Sequence, residues 1–190
     1  MNLSCRARVA TGADILAAGF VVRGTTPRRL LIRAVGPTLA GFGVTGILAD
    51  PKLEVFRQGT EAPLATNDNW SAPISPSTAT AAQLTAAFSS VGAFALTIGS
   101  RDSAVLATLA PGTYTVRAKP ASGVGGTGYL ELYDADLATG PLSTLPYVAV
   151  RGRMGAGGGV VIGGLWSDRL LKSTGSASVA RKTPVITGLL

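Results

Sequence analysis

The chain contains no histidine and so lacks the side chain that most often serves as general base or metal ligand near neutral pH. Its single cysteine, Cys5, excludes a disulfide within the chain and a zinc site built on thiolates. Charged residues make up 14%, against about 25% in ordinary domains, so the expected surface is unusually neutral. No apolar run reaches the ~18 residues of a membrane-spanning helix, and no transmembrane segment is expected. Residues Met1–Val9 carry Arg6 and Arg8 and no apolar stretch of the kind a secretory signal needs, so secretion is expected only with the signal removed.

These absences leave little for catalysis. Lys52, Lys119, Lys172 and Lys182 stand in no Ser-Lys arrangement. Asp134 and Asp136 lie two apart at a strand end, where carboxylates help to terminate the strand. The run Gly123–Gly128 matches G-x-G-x-x-G, but a strand follows it (Tyr129–Asp134) where a dinucleotide site needs a helix, so it reads as a hairpin loop. Gly155–Gly159 has neither a lysine nor a following helix and is not a phosphate loop. The chain is not expected to be an enzyme. A pI near 10.2 points towards nucleic acid, but the arginines alternate along strands and aromatics are only 6%, too few for base-stacking platforms. No nucleic-acid partner is expected.

What is present is strand pattern. Glycine (25) and proline (11) are spread along the chain, as short strands joined by turns require. In Leu3–Val9, Leu3, Cys5, Ala7 and Val9 alternate with Ser4, Arg6 and Arg8, the period of a half-buried strand. Further strands are expected at 15–23, 29–35, 52–57, 103–109, 113–119 and 129–134, with one or two helical turns at 81–88. The spacing of turns predicts an all-β fold, a β-sandwich of jelly-roll type with a C-terminal β-hairpin and an extended arm. The expected divisions are a sandwich repeat over 1–146, a hairpin over 147–166 and an arm over 167–190.

The hairpin is expected because the sequence repeats itself. Arg6-Ala7-Arg8-Val9, Gly12 and Ile15–Phe20 recur as Arg151-Gly152-Arg153-Met154, Gly157 and Val160–Leu165. Val148 and Val150 take the places of Leu3 and Cys5. A repeat at a long fixed period suggests an array of domains, here one full repeat and the opening of a second. Such a hairpin cannot bury its apolar face alone. It must pack on its own sandwich or on a neighbour by strand addition.

Leu31–Pro37, Asn67-Asp68-Asn69-Trp70 and Leu109–Thr115 are the most specific pieces of a pattern that resembles a repeat of large secreted bacterial surface proteins. The resemblance covers about residues 3–136 and restarts at about 148. Residues 53–134 are also similar to bacterial pre-peptidase C-terminal domains, β-sandwiches attached to secreted enzymes, some of which bind calcium or polymeric substrates. The resemblance implies export and a repetitive extracellular role, with no chemistry to carry over.

The expected function is a secreted structural subunit of a bacterial fibre, sheath or surface layer, extracellular or at the cell surface, that assembles with copies of itself by strand exchange. Its expected assembly residues are Arg6, Arg8, Val148, Val150, Arg151, Arg153, Val160, Ile162, Val185, Ile186 and Leu189. Arg6, Arg8, Arg151 and Arg153 would form one basic stripe if the two hairpins lay side by side. Charge adds polarity: residues 1–50 hold six arginines against Asp14 and Asp50, and residues 147–190 hold six basic residues against Asp168. The alternative is an extracellular binding module for polysaccharide or matrix, with exposed aromatics around Trp70, Tyr129 or Trp166. Calcium is the one cofactor candidate, at Asn67, Asp68 and Asn69, whose oxygens are hard ligands; the same residues also simply make turns. Asn2-Leu3-Ser4 and Asn69-Trp70-Ser71 match the glycan acceptor pattern.

Overall fold

A computed structural model describes residues 2–72, 79–136, 148–151 and 160–161. The strands are β1 (Asn2–Val9), β2 (Leu16–Val22), β3 (Arg28–Val35), β4 (Pro51–Arg57), β5 (Ala65–Asn67), β6 (Ser103–Leu109), β7 (Gly112–Pro120), β8 (Gly126–Asp134), β9 (Val148–Arg151) and β10 (Val160–Val161). One α-helix, α1 (Ala81–Val91), stands between β5 and β6.

The pairing explains the fold. β1 pairs with β8, β2 with β7, β3 with β6 and β4 with β5, all antiparallel. Strands β1–β4 and β5–β8 therefore form one long ribbon folded back on itself. β8 also pairs with β3, and β7 with β4, which rolls the ribbon into two sheets. The first runs β1-β8-β3-β6 and the second β2-β7-β4-β5, which is jelly-roll order. β10 is added to the outside of β1 and β9 to the outside of β2.

Alternation puts the core between the sheets. Leu3, Cys5, Ala7 and Val9 of β1 meet Leu16, Ala18, Phe20 and Val22 of β2 in one cluster, with Leu30, Ile32 and Ala34 of β3 and Leu53 and Val55 of β4. Every residue of β3 from Leu30 to Val35 is buried, because its other face is covered too. There Leu31 and Val35 join Tyr129 and Tyr133 of β8 under Leu84, Ala87, Phe88 and Val91 of α1 and under Trp70. The helix is longer than the two turns expected. Its start is written as a capping box: Thr80 accepts from the Gln83 N–H while the Gln83 side chain accepts from the Thr80 N–H. Gly92 closes it in the left-handed conformation at φ 70°.

The second face of the first sheet is organised around an ion pair. Arg33 on β3 and Glu131 on β8 are register partners, and both side chains are fully buried. Arg33 Nε and Nη2 donate to Glu131 Oε2 at 2.8 and 2.6 Å, and Nη1 donates to the Phe94 carbonyl. The guanidinium lies 4.4 Å from the Phe94 ring centre and 4.9 Å from that of Phe88. Tyr133 donates its hydroxyl to Glu131 Oε1 at 3.0 Å. Burial, reinforced by Glu131, holds the Tyr133 hydroxyl well above its usual pKa.

A second buried carboxylate fastens the loops. Asp102 accepts from the Gly36 N–H at 2.7 Å, from the Thr38 N–H and hydroxyl, and from the Ser100 hydroxyl. Gly36 is required there, since a Cβ would overlap the Leu48 carbonyl. Steric need also explains the glycines of the G-x-G-x-x-G match. β8 begins at Gly126, and a Cβ on Gly125 or Gly126 would strike the carbonyl of Val9 or Ile47. The main chains touch where a phosphate-binding loop would leave room for a ligand.

Candidate assembly seam

A jelly roll of eight strands has two seams where the edges of its sheets meet, β5 with β6 and β1 with β2. The β5/β6 seam is stitched by side chains. Ser103 donates its hydroxyl to the carbonyls of Pro51 and Asn67, and the Ala104 N–H on edge strand β6 is taken by Asn67 Oδ1 at 3.1 Å. This blunts one edge against further strand pairing.

The β1/β2 seam takes strands instead. β9 lies antiparallel to β2, with Phe20 opposite Val148, Ala18 opposite Val150 and Ala17 opposite Arg151. β10 lies antiparallel to β1, with Cys5 opposite Val160 and Ser4 opposite Val161. β10 thus takes up only part of the eight-residue β1. Both added strands belong to the segment that echoes β1 and β2 in sequence.

Two expectations about this segment are corrected. β1 and β2 are not a hairpin: they lie in different sheets, joined through a short 3-10 turn at Gly12–Asp14. β9 and β10 likewise go to different sheets. Apolar alternation on both strands makes them face each other across a core as readily as it pairs them side by side, and the sequence does not distinguish the two. The single basic stripe depended on two hairpins lying side by side, an arrangement that the described strands do not have. Arg6 and Arg8 stand on the first sheet, opposite Tyr129 and Thr127, whereas Arg151 pairs onto the second. Arg6 is half-buried and opposes the rise in the Tyr129 hydroxyl pKa that burial causes. Arg153, Ile162, Val185, Ile186 and Leu189 lie outside the described residues.

Comparison of the chain with protein-family models, with curated proteins and with solved structures finds no match. The seam is therefore argued from its own geometry.

The calcium candidates are placed as follows. Asn67 is buried, its Oδ1 bound to Ala104 and its Nδ2 donating to the Asn69 carbonyl. Asp68 accepts from Asn69 Nδ2 at 3.2 Å. Asp102 faces Thr38 and Ser100, Asp134 accepts from the Asp136 N–H, and Asp136 accepts from the Arg29 N–H. The structure does not gather these carboxylates around Asn67–Asn69. Nor do the expected aromatics form a platform, since Trp70 and Tyr129 are buried, with Trp70 Nε1 donating to the Thr97 carbonyl; Trp166 lies outside the described residues.

What sequence reasoning missed is a depression of about 410 Å³ on the second sheet, lined by Gly12, Ala13, Ile15, Ala17, Thr115 and Arg117. The exposed Arg117 closes one side, 4.4 Å from the Phe56 ring centre. No spacing signals it, because its residues come from two strands and a turn that meet only in the rolled sheet.

Cys5 reports on the seam, lying on β1 opposite β10. Burial pushes its thiol up to about 11 from 9.0. At pH 8 the folded chain is expected to resist an aromatic disulfide reagent and to react once urea unfolds it. Rapid labelling in native buffer would show instead that this edge opens. Because the folded pKa is raised, the contribution of the neutral thiol to stability is complete below about pH 9. It is lost as pH climbs through about 11, which urea titrations at stepped pH would register.

Proposed function

We propose that this chain is a secreted structural subunit that assembles through main-chain pairing at the β1/β2 seam, with strands 148–151 and 160–161 given by one copy to the seam of the next. The observation that supports this reading is that both edges at this seam take strands from a single later segment of the chain. Pairing to its own seam and pairing to a neighbour's use the same contacts, so the closed and exchanged forms differ mainly in chain entropy and concentration. Each subunit gives one segment and accepts one. That contact is heterologous and grows an open chain, as a fibre or sheath requires. Strand addition exchanges a row of main-chain hydrogen bonds together, which makes release slow.

The test compares the full chain with a chain ending at Leu145, by size-exclusion chromatography with light scattering and by negative-stain microscopy. Filaments or large oligomers from the full chain, with a folded chain that no longer polymerises from the shortened one, are the expected result. A full chain that stays monomeric at high concentration, and that unfolds when shortened, removes the polymer reading.

A second reading, a binding module for an anionic polysaccharide, is favoured by the depression beside Arg117. There, Arg117→Ala is expected to lower retardation in polyuronate affinity gels without moving the unfolding midpoint. Equal retardation of both chains would remove it.

A further inference from the structure

We infer that the β1/β2 seam is self-complementary: a second copy fills it with its own β1 and β2, joining two jelly rolls about a two-fold axis into two continuous sheets. This rests on the seam being the assembly site and goes beyond strand donation, because it gives the seam a different occupant and a closed symmetry.

The first argument is the match between sequence echo and pairing. Val148, Val150 and Arg151 of β9 stand where Leu3, Cys5 and Arg6 stand in β1; Val160 and Val161 of β10 stand where Ile15, just before β2, and Leu16, its first residue, stand. The echo of β1 pairs with β2, and the echo of β2 pairs with β1. Exchanging the two halves leaves the choice of strand partners unchanged, while the registers of the two contacts differ. A contact that maps onto itself in this way is isologous, the kind that closes as a dimer.

Register is the second argument. Carried onto a second copy, the β9 pairing sets Phe20 opposite Leu3 of that copy, Gly19 opposite Ser4, Ala18 opposite Cys5 and Ala17 opposite Arg6. One step further, Leu16 meets Ala7. Phe20, Ala18 and Leu16 are core residues of β2, and Leu3, Cys5 and Ala7 are core residues of β1. Inward residues thus meet inward residues along the whole contact, and the half-buried Arg6 meets a small neighbour on the outside. The β10 pairing carried over in the same way would set the outward Ser4 against the inward Leu16, so the two-fold contact takes the β9 register.

The resulting sheets run β6-β3-β8-β1 of one copy into β2-β7-β4-β5 of the other, and the second sheet is its symmetric counterpart. Both edges at the seam disappear. Strands 148–151 and 160–161 are then an intramolecular stand-in for the second copy. Tethering gives them a high effective concentration, so they hold the seam until they are displaced or donated.

Two variants of the full chain test this. Val150→Pro with Val160→Pro removes a backbone N–H from each of β9 and β10 and changes no residue of β1–β8, so that the seam is freed. Light scattering is expected to show this variant as a dimer. The second variant is Arg6→Cys with Ala17→Cys in a Cys5→Ala background. Within one chain these positions lie on the outer faces of different sheets, which stack about 10 Å apart, too far for a disulfide. Across the two-fold contact they are directly opposite. Oxidation is expected to trap a covalent dimer, and Arg8→Cys with Ala17→Cys, two residues out of register, is expected to trap much less.

If the proline variant is a folded monomer and the wild-type chain still assembles, the two-fold contact is wrong and strand donation stands. If neither assembles and no covalent dimer forms, the seam is not an assembly site and both readings fall. Should the prolines unfold the chain, the cysteine pair decides alone: oxidised monomer at millimolar protein overturns the inference.

Discussion

Arg33→Met is expected to destabilise the fold by about 3–5 kcal/mol, the usual cost of leaving one partner of a buried ion pair uncompensated. Glu131 would be left without its cation in a site with no exposure, with Tyr133 as its one remaining side-chain donor in the pair's immediate network. The Phe94 carbonyl would lose its donor as well, and the rings of Phe88 and Phe94 would lose the cation between them. Urea unfolding followed by circular dichroism measures the change. Adding Glu131→Leu is expected to recover much of the loss, because two apolar side chains of similar volume replace a pair whose desolvation is itself costly. A single variant within about 1 kcal/mol of wild type would mean that water reaches this site and that the pair is not what holds the covered face of the first sheet.

Asp102→Ala should be nearly as damaging. Its carboxylate serves the Gly36 and Thr38 N–H groups and the Thr38 and Ser100 hydroxyls, and each donor left unsatisfied in a buried place costs about 1–3 kcal/mol. The loss is expected to reach about 4 kcal/mol, with Asp102→Asn near half of that, since an amide keeps one acceptor and presents a donor where another donor already stands. Trp70 provides a local readout, because its N–H donates to the Asp102 carbonyl and its indole to Thr97 and Ser100. In a Trp166→Phe background, indole emission should shift to longer wavelength in the alanine variant before the global transition. An unchanged spectrum with an unchanged midpoint would sink the assignment of Asp102 as the fastener of these loops.

Both predictions concern segments that stand out in the sequence for another reason. Leu31–Pro37 carries Arg33 and Gly36; Asn67–Trp70 carries the side chain that stitches the β5/β6 seam and the buried indole; Ala110–Tyr114 is a turn closed by the Tyr114 hydroxyl on the Ala110 carbonyl. Their specificity is that of a fold fastened by buried polar groups, each of which must find a partner. Asn67 shows the difference most clearly. As a residue type in a Thr-Asn-Asp-Asn run it is a plausible hard ligand, yet in the structure its oxygen is spent on an edge-strand N–H.

The alternation of Leu3–Val9 and the short strands at regular spacing were enough to determine an all-β sandwich, because strand period and turn chemistry are local properties. The repetition of Arg6–Phe20 at Arg151–Leu165 also determined that strands 148–151 and 160–161 would resemble β1 and β2. The tertiary structure decided the rest: that β1 and β2 face each other across a core, that β9 joins the second sheet and β10 the first, that Arg6 and Arg151 part company, and that Arg33 finds Glu131. The physical reason is the same in each case. A period of two says which side chains point together, but which strand lies beside which is set by packing between segments far apart in the chain, and only the rolled ribbon brings those segments into contact.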